Sequence, residues 1–258
     1  MPGTPVVLLS GCDLHRLLRP QTAIGAMREA YSALASNRDH QGRSVGFTVE
    51  GGSIHVKSGL LPGSHLAFAS KVNVNLPDNV KLRGLPTIQG IVVVSDAKDG
   101  RPLAVMDSIA LTGIRTAATA ALTAQYGARG DSTRAAIIGC GAQAGYQLEA
   151  MRSVFALEAV RVFDIDTTRA EAFSSAYSTS DCCITCAPSV SAAVAGVDIC
   201  ITCTTSKVPV LTENLDLTGC SSRPWVPTIL RSTRLPRVSC IVRASWSTMW
   251  RLARRAET

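Results

Sequence analysis

The most regular pattern of apolar and polar positions lies in residues 133–166. A short apolar run, Ala135–Ile138, leads into the sequence Gly-Cys-Gly-Ala-Gln-Ala at residues 139–144, and a helical segment follows. A second run, Val160–Phe163, ends on Asp164. A glycine pair alone often marks only a turn. Here the order is strand, G-x-G-x-x-A, helix, strand and acid, which predicts a dinucleotide-binding site of the Rossmann type.

The residues of this stretch are of the types that bind the pyrophosphate and ribose of a dinucleotide. Gly139 allows a tight turn, and Gly141 allows backbone N–H groups to approach a pyrophosphate. The N-terminus of the following helix adds a partial positive charge. Asp164 would accept hydrogen bonds from the adenosine ribose hydroxyls and would repel a 2′-phosphate, so NAD is favoured over NADP.

The N-terminal half has a different pattern, in which short strands alternate with turns. We predict a strand at Val6–Leu9 and a helix at Gln21–Ser36, and we place Arg43 in a polar stretch and residues 75–84 in a loop. Turns are expected at Pro62-Gly63 and around Asp99. Further strands are predicted at 47–49, 53–57, 66–74, 87–95 and 102–107. Such a series favours an antiparallel sheet in a separate domain.

The remaining pattern continues the nucleotide-binding fold. Leu111–Tyr126 is rich in alanine and predicts a helix. Helices at 169–177 and 189–195 alternate with strands at 182–186 and 197–202, and the last strand ends on Thr204-Thr205-Ser206. This β-α-β-α-β order predicts a parallel sheet with its ligand at the carboxyl ends of the strands.

Charge is distributed unevenly along the 258 residues. The net charge is +7, and from Ser221 onward the chain has eight arginines, no lysine and one acid, so residues 1–220 sum to zero. A nucleic-acid partner is therefore not predicted from the net charge. Neither a signal peptide nor a membrane-spanning apolar run is evident, so we expect a cytoplasmic protein without a membrane partner.

Two Cys-x-x-Cys sets, at 183–186 and 200–203, superficially resemble a zinc site. Both lie in strand-like runs, where residues three apart point to opposite faces. We therefore expect buried strand cysteines and no metal.

Several segments carry a resemblance to the ornithine cyclodeaminase/mu-crystallin family over about residues 20–218. These segments are Arg83–Gly90, Pro102–Asp107, Leu111–Ala118, Gly139–Gln143 and Cys203–Ser206. The resemblance implies a substrate-binding and dimerisation domain of α+β type at 1–112, an incomplete Rossmann NAD-binding domain at 113–218, and a cleft between them. It also implies a homodimer. Residues 219–258 form an atypical basic tail that we expect to lack native structure.

The resemblance also implies roles for single residues. Arg43, Lys71 and Arg115 match carboxylate-binding positions of the family, and Lys57 matches less securely as a further active-site cation. Thr87 and Arg115 would contact the cofactor, whose site is completed by residues of the glycine turn and the strand ends (Gly139, Gly141, Ala142, Gln143, Asp164, Thr204 and Thr205). We assign no role to His55.

The family implies three possible functions. The leading one is NAD-dependent conversion of a small amino acid through an imine, such as ornithine to proline plus ammonia. The second is NAD(P)H-dependent reduction of cyclic ketimines such as pyrroline-2-carboxylate. The third is non-catalytic NAD(P) binding, as in the mu-crystallin branch.

The pattern breaks after Leu217. The family continues with a strand that resembles Ala-Val-Gly-Ala-Asp, whose Asp acts in catalysis, whereas residues 219–228 read Gly-Cys-Ser-Ser-Arg-Pro-Trp-Val-Pro-Thr. Read from the third base of each codon, residues 223–229 accommodate that strand, provided that Arg223 has a CGN codon. Residues 245–250 likewise accommodate a buried strand ending on acids. We infer a frameshift near Leu217–Gly219, with loss of the catalytic Asp and little or no turnover; the alternative is a basic tail for an acidic partner.

Sequencing the gene and its transcript around codons 217–219 tests the frameshift. We expect a one-base change there that separates the encoded tail from the family's reading frame. An intact frame in both gene and transcript would leave the basic tail as the explanation.

Overall fold

The computed structural model describes residues 5–36, 42–61, 66–206, 208–211 and 241–242. The chain divides into two compact units, one formed by Met1–Arg19 with Arg28–Ile114 and the other by Pro20–Met27 with Arg115–Thr258. In the described part, no helix is both long and apolar enough to cross a membrane.

The first unit is built on a six-stranded sheet with the order β1-β6-β5-β4-β3-β2. Strands β2 to β6 pair antiparallel as predicted, whereas β1 pairs parallel to β6. The strands are β1 (Val7–Leu9), β2 (Arg43–Val49), β3 (Gly52–Leu61), β4 (Ala67–Asn75), β5 (Ile88–Asp96) and β6 (Pro102–Asp107). The helices that begin in this part of the chain are α1 (Gly11–Leu17), α2 (Pro20–Ser36), α3 (Asn79–Arg83) and α4 (Ser108–Gly127).

Three details of this unit differ from the sequence prediction. Arg43 is the first residue of β2 rather than part of a polar loop. Helix α3 interrupts the predicted loop at 75–84; its buried Asn79 donates to the Pro86 carbonyl at 3.3 Å and accepts from Arg83 at 3.2 Å. Helix α1 was not predicted. The turn expected at Pro62-Gly63 lies outside the described residues.

The second unit has a parallel sheet with the order β11-β10-β7-β8-β9, which confirms the predicted Rossmann-type architecture. Its strands are β7 (Arg134–Ile138), β8 (Ala159–Phe163), β9 (Cys183–Cys186), β10 (Ile199–Thr202) and β11 (Ile241–Val242), and its further helices are α5 (Ala144–Arg152), α6 (Thr167–Tyr177) and α7 (Val190–Val194). Residues Ala135–Ile138 are at most 1% exposed. Burial on both faces is typical of a central parallel strand.

The tail contributes one short strand to this sheet. β11 pairs parallel with β10, Cys200 opposite Ile241 and Ile201 opposite Val242, so within the described residues β10 is not an edge strand. These two residues are the part of the tail that the structure describes; the others of 219–258 lie outside the described residues.

A buried carboxylate joins the amino ends of β7 and β10. Asp198 is 3% exposed and accepts from Arg129 Nη2 at 2.6 Å and from the backbone N–H groups of Thr133 and Arg134 at 3.1 and 2.9 Å. Arg134 Nε lies 3.7 Å from the same carboxylate. Because hydrogen bonds to a buried charge are stronger than neutral ones, Asp198 fixes the pairing of these strands at the edge opposite to the glycine turn.

We expect Asp198→Ala to lower the free energy of unfolding by about 2–3 kcal/mol, because it removes charge-assisted bonds and leaves two amide donors without an acceptor. Urea unfolding followed by circular dichroism measures this change. Asp131→Ala is the matched control, since Asp131 also pairs with Arg129 but is largely exposed, and we expect less than about 1 kcal/mol from it. An equal decrease in the free energy of unfolding in the two variants would contradict the conclusion that the buried Asp198 carboxylate stabilises the sheet.

Candidate functional site

The strand order of the second unit creates a crevice at one edge of the sheet. From β7 the chain moves outward through β8 and β9, then crosses to the other side of β7 to form β10. The connections that leave β7 and β10 therefore diverge, and ligands of open α/β sheets bind at the carboxyl ends of such a strand pair. The glycine turn follows β7 and Cys203-Thr204-Thr205 follows β10, so both predicted loops lie at this edge.

Gly139 brings these two loops together. Its φ is +96°, a backbone conformation that residues with a side chain rarely adopt. A Cβ at this position would lie 3.0 Å from the Cys203 carbonyl carbon and 3.1 Å from Thr204 Cγ2. The Gly139 N–H donates to the Phe163 carbonyl at 2.7 Å, which links the turn to the end of β8.

Asp164 lies at the turn and is partly buried. One carboxylate oxygen accepts from the Cys140 N–H at 2.7 Å, and the other accepts from the Asp166 N–H at 3.0 Å. Each carboxylate oxygen can accept more than one hydrogen bond, so Asp164 can hold the turn and still accept from a ligand hydroxyl. Asp164 thus lies beside the glycine turn, as a dinucleotide site of this type requires.

The beginning of α5 is open toward the same edge. Gly141 and Ala142 are exposed, and a Cβ on Gly141 would meet no atom within 4 Å. Gln143 is the N-cap residue but makes no side-chain capping bond, and its buried Oε1 has no hydrogen-bond partner among the described residues. Backbone amides at an uncapped helix start can bind an anion.

Gly145 lets α5 lie close to α6. A Cβ on Gly145 would lie 2.9 Å from Tyr177 Cζ and closer still to the hydroxyl oxygen, so the Tyr177 side chain or α5 would have to move to admit it. Tyr177 itself stacks on Phe173 with ring centroids 4.6 Å apart. Gly145 directly follows the fingerprint, but no sequence pattern distinguished it from other helix residues.

Two thiols border the glycine turn. Burial, together with smaller contributions from the nearby Asp164 and Cys186, raises the pKa of the Cys140 thiol to about 11. Burial likewise raises the pKa of Cys203 to about 12, with Cys140 as the second cause. Because both thiols remain protonated at physiological pH, neither places a negative charge beside an incoming phosphate.

The prediction of buried strand cysteines is only partly correct. Cys200 is fully buried in β10, but Cys183 and Cys186 are exposed because β9 is the edge strand of the sheet. Within the described residues, no three His, Cys, Asp or Glu side chains are placed to hold a metal ion.

In the first unit, four polar side chains share one face of β3 and β4. Lys57 is directly opposite Lys71, and His55 is directly opposite Asn73. Since alternate residues of a strand point to the same side, these four residues form a polar block on one face of the sheet. Lys71 Nζ donates to Thr112 Oγ1 at the start of α4, at 3.3 Å. Strand register is not specified by a local sequence pattern, so neither pairing could be predicted.

Arg43 does not belong to this block. Arg43 pairs with Ser58, which points to the face opposite to that of Lys57, and Arg43 is exposed.

The other candidate residues lie at separate positions. Thr87 lies just before β5, and its carbonyl accepts a hydrogen bond from the Leu76 N–H at 2.9 Å. Arg115 is partly buried in α4, and Thr205 is exposed.

Comparison with known proteins agrees with this architecture. The profile of the ornithine cyclodeaminase/mu-crystallin family matches residues 7–220. The chain is 31% identical over 169 residues to an alanine dehydrogenase of Archaeoglobus fulgidus, covering 66% of this chain and 51% of that protein. It is 44% identical over 86 residues to an ornithine cyclodeaminase of Agrobacterium tumefaciens, covering 33% of this chain and 24% of that protein.

A solved structure is similar over most of the described fold. It is the Δ1-pyrroline-2-carboxylate reductase of Thermococcus litoralis in complex with NADH and L-proline; the TM-score is 0.74 and the identity 33%, over 80% of this chain and 64% of that one. The chain thus spans about half of the alanine dehydrogenase and just under two thirds of the reductase. The match over residues 7–220 nevertheless covers most of its length, and the chain belongs to the ornithine cyclodeaminase/mu-crystallin family.

Proposed function

We propose that the protein binds NAD at the carboxyl edge of the second unit and serves the NAD-dependent interconversion of a small 2-amino acid and its imine. The main support for this proposal is the hydrogen bond from the Cys140 N–H to Asp164. It holds the acid at the end of β8 against the glycine turn that follows β7. Relatives named as dehydrogenase, cyclodeaminase and reductase all fit this common chemistry, whereas they differ in substrate.

The residues at this edge suit each part of NAD. Asp164 would accept from the ribose hydroxyls, and the exposed backbone at Gly141 and Ala142 would approach the pyrophosphate. Thr204 and Thr205 follow β10 beside the turn, and Gln143 contributes a buried oxygen that has no donor among the described residues. When bound, nicotinamide would accept or supply the hydride at the amino-acid carbon.

For the substrate, Lys71 is the best-supported carboxylate ligand. It is partly buried, and its bond to Thr112 orients the ammonium group. Arg115 remains a proposed ligand of substrate and cofactor, and Thr87 of cofactor. Arg43 is the least supported, because the register assigns it to the other face of the sheet.

Three related activities follow from this scheme. Cyclodeamination of ornithine would give proline and ammonia, reduction of a cyclic ketimine would give a cyclic amino acid, and a non-catalytic protein would only retain the ligands. Incubation with ornithine and NAD⁺ separates the first from the second, since only the first releases ammonia. Ligand binding without turnover would favour the third.

The cofactor proposal predicts that the chain binds NADH and that Asp164→Asn weakens binding about tenfold, because one charge-assisted acceptor is lost. Fluorescence titration of NADH measures the dissociation constants. Asp181→Asn is the matched control: this exposed Asp precedes β9, at the opposite edge of the sheet. Equal NADH affinity in the Asp164 variant and the parent would contradict the assigned site.

We also propose that the first unit forms a homodimer through the face of its sheet opposite to the polar block. That face exposes large apolar side chains, each between 38% and 55% accessible: Val45, Phe47, Leu60, Phe68, Val72 and Ile91. By the strand register all six point to the same side. A contiguous apolar face of this kind is typical of a protein–protein interface.

The dimer proposal predicts that Val72→Glu halves the molecular mass measured by light scattering, since a charge in the middle of an apolar interface must be desolvated. Val80→Glu is the control, because Val80 is exposed on α3 rather than on the sheet. A dimer that persists in Val72→Glu and Ile91→Glu alike would place the interface elsewhere.

A further inference from the structure

The polar block contains a buried side-chain amide whose oxygen has no donor in the described part of the chain. This residue is Asn73 of β4, which is 9% exposed, and the atom is its Oδ1. Burying an amide oxygen without a hydrogen bond is unfavourable. Such atoms are rare in folded proteins, so each one requires a specific explanation.

The cross-strand neighbours of Asn73 explain why its amide is not paired within the sheet. His55 lies directly opposite on β3, but its Nε2 is 2.9 Å from Ser53 Oγ. The other ring nitrogen, Nδ1, lies on the β2 side, 3.3 Å from the position of a Cβ on Gly46. On the other side of Asn73, its partner on β5 is Gly90, which has no side chain. Neither cross-strand neighbour therefore supplies a donor to the Asn73 oxygen.

Gly90 also determines where the amide lies. A Cβ on Gly90 would be 2.7 Å from Asn73 Oδ1 and 2.0 Å from the Val72 carbonyl oxygen, so any side chain there would collide with the backbone of β4. The Asn73 side chain thus leans toward β5, beside the bare Cα of Gly90. The torsion that turns an amide group has a broad energy profile, so Asn73 can turn its oxygen toward a ligand on this face.

An acceptor without a donor favours a ligand that carries an N–H group. A 2-amino acid and its imine both have N–H at carbon 2, whereas a 2-oxo acid has only an acceptor there. Lys71, the proposed carboxylate ligand, lies two residues from Asn73 on the same face of β4, at a spacing of about 7 Å along the strand. A site built to hydrogen-bond a substrate N–H rejects the analogue that lacks it, because the buried polar group of the site is then left unpaired.

We propose that Asn73 recognises the nitrogen of the substrate. Its Oδ1 accepts a hydrogen bond from the amino or imino N–H at carbon 2, while Lys71 binds the adjacent carboxylate. This proposal rests on the function proposed above and adds a specificity-determining residue to the same site. The recognition is a property of binding and does not require turnover by the 258-residue chain.

Isothermal titration of the chain with L-alanine and with pyruvate tests the proposal. The two probes have the same carbon skeleton and differ at carbon 2, where one carries nitrogen and the other an oxo group. Each titration is done with the chain saturated with NADH and again without cofactor. We expect L-alanine to bind at least about tenfold more tightly than pyruvate, the range of one hydrogen bond to a charged group.

Variants assign this preference to Asn73. Asn73→Leu has a similar shape without polar atoms, so it should weaken L-alanine binding and bring the two affinities within about twofold of each other. Asn73→Asp keeps an acceptor and should retain the preference for L-alanine. Asn75→Leu is the matched control, because Asn75 is the next residue on the same face of β4, and it should leave both affinities within about twofold of the parent.

Thermal unfolding without ligand distinguishes recognition from a structural role. If the Asn73 amide has no partner in the unliganded protein, Asn73→Leu should leave the unfolding midpoint unchanged or raise it, because an unpaired buried polar group has been removed. A structural hydrogen bond of Asn73 would instead give a lower midpoint.

Four results would overturn the proposal. These are equal or tighter binding of pyruvate by the parent, an unchanged preference in Asn73→Leu, a lower unfolding midpoint of that variant, or no binding of either probe with or without NADH. The NADH titration described above separates this failure from that of the proposed function. NADH binding without a preference for L-alanine removes only the role of Asn73, and a preference without NADH binding removes only the redox function.

Discussion

The second unit depends on one hydrogen-bonded junction, in which the Asp164 carboxylate accepts from the Cys140 amide while Gly139 turns with a positive φ. The junction connects the ends of β7 and β8 and fixes where α5 begins. Because the Gly139 turn also touches Cys203 and Thr204, the loop after β10 takes its position from the same point. A nucleotide that approaches this edge meets groups already arranged by the protein, so little ordering free energy is required on binding.

In the parallel sheet, the residues that hold the strands together and the residues proposed to bind the ligand lie at opposite edges. Asp198 ties β7 to β10 at the amino edge through Arg129 and two backbone amides, while the glycine turn lies at the carboxyl edge. Each edge can therefore be altered with limited effect on the other, as expected for sites more than about 10 Å apart without shared partners. In the first unit the division is between faces: polar residues lie on one side of the sheet and large apolar residues on the other.

Sequence alone predicted the parts whose signals are local. The fingerprint, the strand at 160–163 and the acid at its end follow from a pattern within some thirty residues, and each is confirmed as structure. Helix α1 was missed although Ser10 and Asp13 form a capping box, a local signal that the short length of the helix obscured. The interpretation of Arg43 as a loop residue failed because Arg43 is the polar first residue of β2 and precedes the alternating apolar positions Val45, Phe47 and Val49. The opposition of Lys57 and Lys71 depends on strand register, which no local pattern specifies.

Gly145, which has no side chain, affects the direction of helix α5. Its hydrogen atom faces the Tyr177 ring, so the spacing of α5 and α6 is set by one missing methyl group. An alanine there would require either the Tyr177 ring or α5 itself to move. A shift of α5 would change the direction in which the amides of its first turn point, although none of the residues at the crevice had been replaced.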